Sequence, residues 1–542
     1  MRLSMSPHDS ADPSPRTASP RIAIVGAGFA GIAMAIRLRQ AGIESFTIYE
    51  QADGVGGTWR ANTYPGAACD IPSHLYSFSF EPNPDWSRSY GTQPEILAYL
   101  ERCVERHGLQ PFLRCRSAIS RAVYNPTRHV WQIEVNGEAI EVDVLIAASG
   151  PLSRPALPAI AGLDTFAGTM FHSARWNHQA DLTGRRIGVI GTGASAIQFI
   201  PEIAPRAAHL TVFQRTPPWV IPKPDGPIGP RWRRLYRRIP ALQWLTRMSI
   251  YWMLEARAYA FLKRPPLLQL AMRLGKRYID RSIADPALRA KVTPEHVMGC
   301  KRILLSNDYY RAITRENVAL DTTPIREICP QGVITTDGAL HEFDTLIFGT
   351  GFQVNDVPAP FEMFGMGGAS LSERWLQEGP QAYLGTAIRD FPNLFMIVGP
   401  NTGLGHNSMI YMIESQVAYI HDALQTLIRT GATRIAVRAD VQAQFNERLQ
   451  RRFKQSVWQT GCHSWYLTAS GKNTTLWPGY TFAFRRATQS IDIEDYDFAQ
   501  RNTDVLADTS PHYAGDAPAD ALTDRPDGAI PHSPISGATH PG

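Results

Sequence analysis

The chain has 542 residues, of which 44% are hydrophobic and 19% charged, the composition of an ordinary globular protein. This length exceeds what one compact core supports, so two or three domains are expected. A formal net charge of +5 suits an anionic dinucleotide but is too small to indicate a nucleic-acid partner.

The two ends of the chain are predicted to be disordered. Residues 1–20 are rich in Ser, Pro and Asp and have no apolar signal core, and residues 505–542 are rich in Pro, Gly, Ala and Asp. No stretch reaches the roughly 20 apolar residues of a membrane span. The six cysteines form no CxxC pair, which argues against zinc and favours a reducing compartment. A soluble cytoplasmic protein without a metal site is therefore expected.

The first ordered segment predicts a dinucleotide-binding unit. It begins with RIAIVGAG, an apolar strand that enters a glycine turn, and continues with FAGIAMAIRLRQAG as a helix. Gly26, Gly28 and Gly31 provide the tight turn, the close approach to a pyrophosphate and the helix–strand packing of GxGxxG. Glu50 ends the next strand, FTIYE, where a carboxylate accepts hydrogen bonds from a ribose.

A second copy of this pattern begins at Arg186 with RIGVIGTGASAIQFI. Its turn contains Gly191, Gly193, Ser195 and Ala196, with alanine at the permitted third position. The following strand, LTVFQR, ends not in an acid but in Arg215 and Thr216, and these would bind a 2′-phosphate that a carboxylate would repel. The contrast between Glu50 and Arg215 assigns FAD to the first unit and NADPH to the second.

Three further strands end in small residues and should return the chain to the two sheets. They are DVLIAASG at 143–150, DTLIFGTG at 344–351 and NLFMIVGPNTGLGH at 393–406.

The stretch from about 225 to 300 has long helical patterns rich in arginine and aromatic residues. We interpret it as a helical insertion that covers the second nucleotide domain with a solvated basic face. Weak peripheral contact with a membrane is the alternative interpretation.

The predicted fold class is α/β, with two Rossmann-like domains and a helical insertion in the second. In chain order the expected parts are a first FAD-binding segment (21–160), the NADPH-binding domain (161–340) and a second FAD-binding segment (341–504). The site should lie where these parts meet.

The segment between the two glycine motifs carries a more specific pattern. Phe166, Gly168, His172 and Trp176 form a complete FxGxxxHxxxW, and by this pattern the chain resembles the type I Baeyer–Villiger monooxygenases. The resemblance extends from residue 21 to about 495. It includes the segments GGTWRANTYPGAACDIPSHLYSFSF at 56–80 and CKRILLSNDYY at 300–310.

The resemblance implies conversion of a ketone to an ester or lactone with NADPH and O₂, through a C4a-peroxyflavin. The C-terminal segment 461–479 resembles the branch that contains enzymes for aryl and open-chain ketones. It does not identify the ketone or the oligomeric state.

The resemblance also implies roles for individual residues. Arg302 matches the catalytic arginine, Asp70 the carboxylate beside it, and Lys301 the contact to the NADPH phosphate. His172 and Trp176 would lie on a linker between the two domains and support domain rotation, and His172 is not expected to act as a general base. The positions that match residues around FAD are Gly57, Thr58, Trp59 and Tyr76.

Three alternatives remain from the sequence. One is a related flavin monooxygenase that oxygenates sulfide or amine heteroatoms, against which Arg302 and the full pattern argue. Another is a flavin disulfide reductase, which would need a CxxC or CxxxxC pair that the chain lacks. The third is a non-catalytic NADPH-binding sensor.

Overall fold

A computed structural model of the protein describes residues 19–262, 267–354, 360–461 and 464–501. The predicted disordered tail at 505–542 and all but the last two residues of the predicted N-terminal segment lie outside the described residues. The C-terminal segment 461–479 is described except at two positions, 462 and 463.

The strands are short and lie along the whole described chain. They are β1 (Ile22–Val25), β2 (Phe46–Tyr49), β3 (Leu113–Arg114), β4 (Ile119–Asn125), β5 (Val130–Val135), β6 (Glu138–Val142), β7 (Val144–Ala147), β8 (Thr169–His172), β9 (Arg186–Ile190), β10 (His209–Phe213), β11 (Val220–Ile221), β12 (Leu304–Leu305), β13 (Val318–Asp321), β14 (Ile325–Cys329), β15 (Gly332–Thr335), β16 (Leu340–Glu342), β17 (Thr345–Phe348), β18 (Glu362–Phe364), β19 (Leu394–Met396), β20 (Arg434–Val437) and β21 (Tyr496–Ala499).

The helices connect and cover these strands. They are α1 (Phe29–Gln40), α2 (Thr58–Ala61), α3 (Gln93–Arg106), α4 (Ala196–Ile203), α5 (Pro230–Arg238), α6 (Pro240–Leu262), α7 (Leu267–Ser282), α8 (Pro286–Val292), α9 (Tyr309–Ile313), α10 (Leu371–Glu378), α11 (Met409–Thr430), α12 (Ala439–Phe453) and α13 (Thr481–Ala487).

Two five-stranded parallel sheets confirm the α/β class with two Rossmann-like units. The first has the order β19-β7-β1-β2-β3, and the second the order β13-β10-β9-β17-β8. In each, the strand before the glycine motif, β1 or β9, pairs in parallel with strands on both sides. Every residue of β1 and β7 is buried. Such continuous apolar strands are typical of a parallel sheet with both faces covered.

Strand β17 shifts one expected domain boundary. It pairs in parallel with β9 and β8 and therefore belongs to the second sheet. The segment assigned to the first unit from residue 341 can accordingly begin only after residue 348. The reason is that DTLIFGTG pairs with β9 in the second sheet, as DVLIAASG pairs with β1 in the first. The third strand of this form, β19, pairs with β7 in the first sheet as expected.

Two smaller sheets, one mixed and one antiparallel, have no counterpart in the sequence interpretation. One has the order β18-β4-β5-β6 and the other β14-β15-β16. The first of these packs its inner face, with Trp131 fully buried, against the first parallel sheet. The alternation of apolar and polar residues in β5, from Trp131 to Val135, is the signal that could have predicted it.

The region expected as a helical insertion contains α5, α6, α7 and α8. None of the helices in the described part of the chain is both long and apolar enough to span a bilayer.

Candidate functional site

The first glycine turn has the geometry of a pyrophosphate site. Gly26 adopts a φ of +103°, and a Cβ there would lie 2.8 Å from the carbonyl oxygen of Ala148. Gly31 packs so closely over this turn that a Cβ would lie 1.9 Å from the carbonyl oxygen of Gly26. Helix α1 begins after Gly28 without a side-chain cap or an acidic residue in its first turn. Its first N–H groups and the positive end of its dipole therefore suit an anionic group.

Glu50 lies at the end of β2, beside this turn, and is 6% exposed. Its Oε2 accepts a hydrogen bond from the N–H of Ala27 at 2.8 Å, and its Oε1 accepts one from Ala52 at 2.8 Å. These bonds fix the carboxylate, and each oxygen keeps a lone pair for a ribose hydroxyl. The position expected from the sequence thus fits the ribose of a dinucleotide.

The segment 57–76 lies against the first glycine turn. A Cβ on Gly57 would lie 3.1 Å from the Cα of Gly28, so the two glycine segments face each other closely. Trp59 Nε1 donates to the hydroxyl of Tyr76 at 3.1 Å, and their rings meet edge to face. Thr58 starts α2 and is exposed. These residues fit the flavin ring of an FAD, because aromatic side chains lie there next to the glycine turn.

The second glycine turn repeats the first. Gly191 adopts a φ of +105°, and a Cβ on it would lie 2.6 Å from the carbonyl oxygen of Gly349. Gly193 is exposed at the turn, and Ser195 precedes α4 without capping it. The methyl group of Ala196 would lie 3.0 Å from a Cβ at Gly349. Alanine is therefore accommodated in the third position because the neighbouring strand ends in glycine.

Two of the three predicted phosphate ligands, Arg215 and Lys301, are near enough for their charges to interact. Arg215 and Thr216 follow β10 and are exposed, and Lys301 is half-buried. Burial lowers the pKa of Lys301, and the positive charge of Arg215 lowers it further. Two cations whose charges interact are a suitable site for a 2′-phosphate.

Arg302 and Asp70 form the ion pair expected at the reaction centre. Arg302 Nε donates to Asp70 Oδ2 at 3.0 Å, and Nη2 donates to the same oxygen. The Asp70 charge is the main cause that raises the pKa of Arg302 above its ordinary value. Although protein surrounds the pair, 37% of the Arg302 side chain and 30% of that of Asp70 remain accessible. The charge is therefore fixed and also open to a ligand.

Two residues near this pair were missed by the sequence interpretation. Burial raises the pKa of Tyr466 to about 12, against the opposing effect of the Arg302 charge. Lys223 has its ammonium 5.0 Å from the ring centre of Tyr90, and burial lowers its pKa while the negative charges of Asp225 and Asp70 raise it. Both residues come from loops remote in sequence, so only the fold places them near the pair.

A hydrogen-bonded bridge joins the two nucleotide units. The side chain of Gln198, in α4, accepts from the Tyr64 hydroxyl at 2.9 Å and donates to the carbonyl of Ala68 at 2.9 Å. Ala68 lies two residues before Asp70. Helix α4 therefore connects the second glycine turn to the segment that holds the carboxylate.

The FxGxxxHxxxW segment is packed rather than free. Its middle part is the edge strand β8, which pairs with β17, whereas we expected a linker. A Cβ on Gly168 would lie 2.7 Å from the Phe166 ring and 2.6 Å from the Asp344 carbonyl oxygen. Glycine is thus required where the chain enters the sheet beneath that ring.

His172 and Trp176 have structural partners. His172 is buried, and its Nδ1 accepts a hydrogen bond from the Ala174 N–H at 3.0 Å. The Trp176 ring lies 5.0 Å from Phe171, 5.3 Å from Phe199 and 6.5 Å from Tyr64. Trp176 therefore contacts residues of both nucleotide units.

Known proteins that resemble this chain are nucleotide-dependent oxidoreductases and monooxygenases. Residues 23–235 match the family profile described as pyridine nucleotide-disulphide oxidoreductase. A protein of Pseudomonas aeruginosa named Baeyer-Villiger monooxygenase is 46% identical over 514 residues, which are 94% of this chain and 97% of that protein.

Two solved structures are similar over 89% of this chain and the whole of theirs. One is an oxidized steroid monooxygenase bound to NADP, with a TM-score of 0.77 and 31% identity. The other is OTEMO in complex with FAD and NADP, with a TM-score of 0.79 and 26% identity.

Proposed function

Because the chain belongs to the type I Baeyer–Villiger monooxygenases, we propose that Arg302 and Asp70 form its reaction centre, between an FAD held at the first glycine turn and an NADPH held at the second. The enzyme is a flavoprotein monooxygenase that uses FAD and NADPH and converts a ketone to an ester or lactone with O₂. Bound FAD, once reduced by NADPH, supplies the activation of O₂.

One observation supports this assignment most strongly. Lys301 and Arg302 are consecutive, yet Lys301 lies near Arg215 and Arg302 is paired with Asp70. One short segment thus serves both the phosphate site of the coenzyme and the proposed reaction centre. A site that only binds NADPH would not need the ion pair between Arg302 and Asp70.

The proposed role of Arg302 is electrostatic. Oxygen insertion next to a carbonyl places negative charge on oxygen, and a fixed cation stabilises that charge more than mobile water does. Asp70 holds the guanidinium in one orientation through two N–H groups. The remaining N–H groups of the fork are then left for a further partner.

The other roles follow from the contacts described above. Glu50 would bind the ribose of FAD, and Gly26, Gly28 and Gly31 its pyrophosphate. Gly57, Thr58, Trp59 and Tyr76 would border the flavin. Gly191, Gly193, Ser195 and Ala196 would bind the coenzyme pyrophosphate, and Arg215, Thr216 and Lys301 its 2′-phosphate. Phe166, Gly168, His172 and Trp176 would position the two units. We also propose a cytoplasmic location, where NADPH is supplied.

A substrate panel tests the function. Purified holoenzyme is given NADPH, O₂ and linear, cyclic and aryl ketones, with an alkyl aryl sulfide in parallel, and products are identified by mass spectrometry. We expect ester or lactone with matching NADPH use from at least one class of ketone. Sulfoxide without any ester, or NADPH oxidation that yields only hydrogen peroxide, would overturn the ketone activity.

A further inference from the structure

Helix α6 has an apolar face that is exposed. Five large side chains on this face, which we name the apolar stripe, are between 43% and 59% exposed; they are Trp244, Leu245, Trp252, Met253 and Tyr259. The opposite face, with Leu254, Ala258 and Phe261, is buried. A helix that is apolar on all sides is normally covered on all sides. The apolar stripe therefore requires an explanation other than the fold itself.

The exposed apolar surface continues onto both neighbouring helices, against which α6 packs. On α7, Leu267, Leu270 and Leu274 follow a helical spacing and are all more than half exposed. On the other side, Trp232 of α5 and the following Ile239 are about half exposed. Exposed apolar residues so concentrated mark a surface that meets an apolar partner.

The part of the chain that contains these helices has a local excess of positive charge. Residues 230–282 contain thirteen Lys or Arg and only two acidic residues, a net charge of +11, whereas the whole chain has +5. One of the two acids, Glu255, is buried and accepts hydrogen bonds from Asn407 and Thr481. The exposed surface therefore combines Trp, Leu and Met with an arginine border.

We propose that α5, α6 and α7 form a docking surface for an anionic lipid bilayer, with the apolar stripe inserted at the level of the headgroups. Tryptophan and leucine among arginines are the residues that lie in such an interface. The arginines would bind lipid phosphates, which are the complementary charge. Pairing with a second copy through this face is disfavoured, because a two-fold contact would bring two strongly positive surfaces together.

The proposal is independent of which ketone the enzyme uses, and it differs from the solvated cover expected from the sequence. Neither Arg302 nor any residue of the two glycine turns belongs to α5, α6 or α7. The proposed membrane contact therefore does not involve them.

Vesicle flotation tests the proposal with the FAD-loaded full chain. Vesicles contain either phosphatidylcholine alone or about three parts phosphatidylcholine to one part phosphatidylglycerol. We expect binding to the anionic vesicles only, with release at about 0.5 M NaCl, where charge attraction is screened. The Leu245→Ser/Trp252→Ser variant should bind at least about tenfold more weakly, because burial of two large apolar groups is lost. The Arg234→Glu/Arg238→Glu variant should also bind more weakly.

Leu376→Ser on α10 is the matched control, because Leu376 is 56% exposed, as is Trp252. It should bind as the wild type does. The visible spectrum of bound FAD and the melting temperature establish that each variant is folded. Absence of binding to anionic vesicles, unchanged binding of the Leu245/Trp252 variant, or a dimer that this variant converts to a monomer would overturn the proposal.

Discussion

Arg302 gives two of its N–H groups, on Nε and Nη2, to a single oxygen of Asp70, Oδ2. A fork-to-fork contact would instead use both carboxylate oxygens. The observed contact fixes the plane of the guanidinium through one edge and leaves its other N–H groups for a further partner. This arrangement is suited to a cation that must be held in place and still bind a ligand.

Replacing Arg302 should separate coenzyme chemistry from oxygen insertion. Arg302→Ala should keep bound FAD and its reduction by NADPH but lower ester formation by ~10²–10³-fold, the usual cost of removing one group that stabilises a developing oxyanion. Ester formation by Arg302→Lys should lie between that of the wild type and that of Arg302→Ala, since an ammonium keeps the charge but not the planar fork of N–H groups. Stopped-flow absorbance follows flavin reduction and mass spectrometry follows the ester. Normal ester yield from Arg302→Ala would contradict the role.

The two cations at the second glycine turn should discriminate between coenzymes. Arg215→Ala and Lys301→Ala should each raise the KM for NADPH by about ten- to a hundredfold, the value of a hydrogen bond to a charged group. The KM for NADH should change little, because NADH has no 2′-phosphate. Arg185→Ala, an exposed arginine of the same unit, serves as the control. An equal loss with both coenzymes would refute the phosphate assignment.

The same site should respond to pH. Because burial and then the Arg215 charge lower the pKa of Lys301, the free enzyme loses this positive charge at a lower pH than an ordinary lysine would. The KM for NADPH should therefore rise as the pH increases toward ~10, while that for NADH stays flat. Arg215→Ala removes one cause of the lowered pKa and should move the rise to higher pH. A rise at the same pH in that variant would show that the two residues do not interact.

The bridge between the units should couple coenzyme binding to oxygenation. Gln198→Ala removes both of its hydrogen bonds, to Tyr64 and to Ala68, whereas Tyr64→Phe removes only one. Each bond contributes about 1 kcal/mol, so Gln198→Ala should have the larger effect. We expect less ester and more hydrogen peroxide per NADPH oxidised, measured together in one assay. Full coupling in both variants would make the bridge merely structural.

Local chemistry explains which features could be predicted from the sequence. The strand, glycine turn and helix around Gly26 and Gly191 are encoded within about twenty consecutive residues, so their form and the acid at Glu50 could be inferred directly. The pairing of Arg302 with Asp70 spans 232 positions. It could be expected only from the resemblance to a known family.

Other features depend on contacts that no local pattern encodes. The assignment of β17 to the second sheet follows from its pairing with β8 and β9. Tyr466 lies near Arg302, and Lys223 near Asp70, only because the fold brings remote loops together. The exposure of the apolar stripe on α6 could also not be predicted from the sequence, since an apolar sequence normally indicates burial.

His74 should make the protein less stable in acid. It is buried, with Gln243 Nε2 3.3 Å from its Nδ1 and the ring of Tyr236 at 4.7 Å. Burial, and then the charge of Arg247, lowers the pKa of His74 to about 4. The histidine pKa of the unfolded chain is ~6.5. Between these two pKa values the unfolded chain therefore binds a proton at His74 and the folded protein does not.

The contribution of neutral His74 to the free energy of unfolding is fully present above pH ~6.5. It decreases by ~3 kcal/mol as the pH falls toward 4. The melting temperature of the FAD-loaded enzyme, measured between pH 7.5 and 4.5, should decrease with acid. His74→Asn cannot be protonated and keeps an acceptor for Gln243, so its melting temperature should depend less on pH. His209→Asn, an exposed histidine at the start of β10, should behave as the wild type does. An identical acid slope in His74→Asn would mean that other groups control the transition.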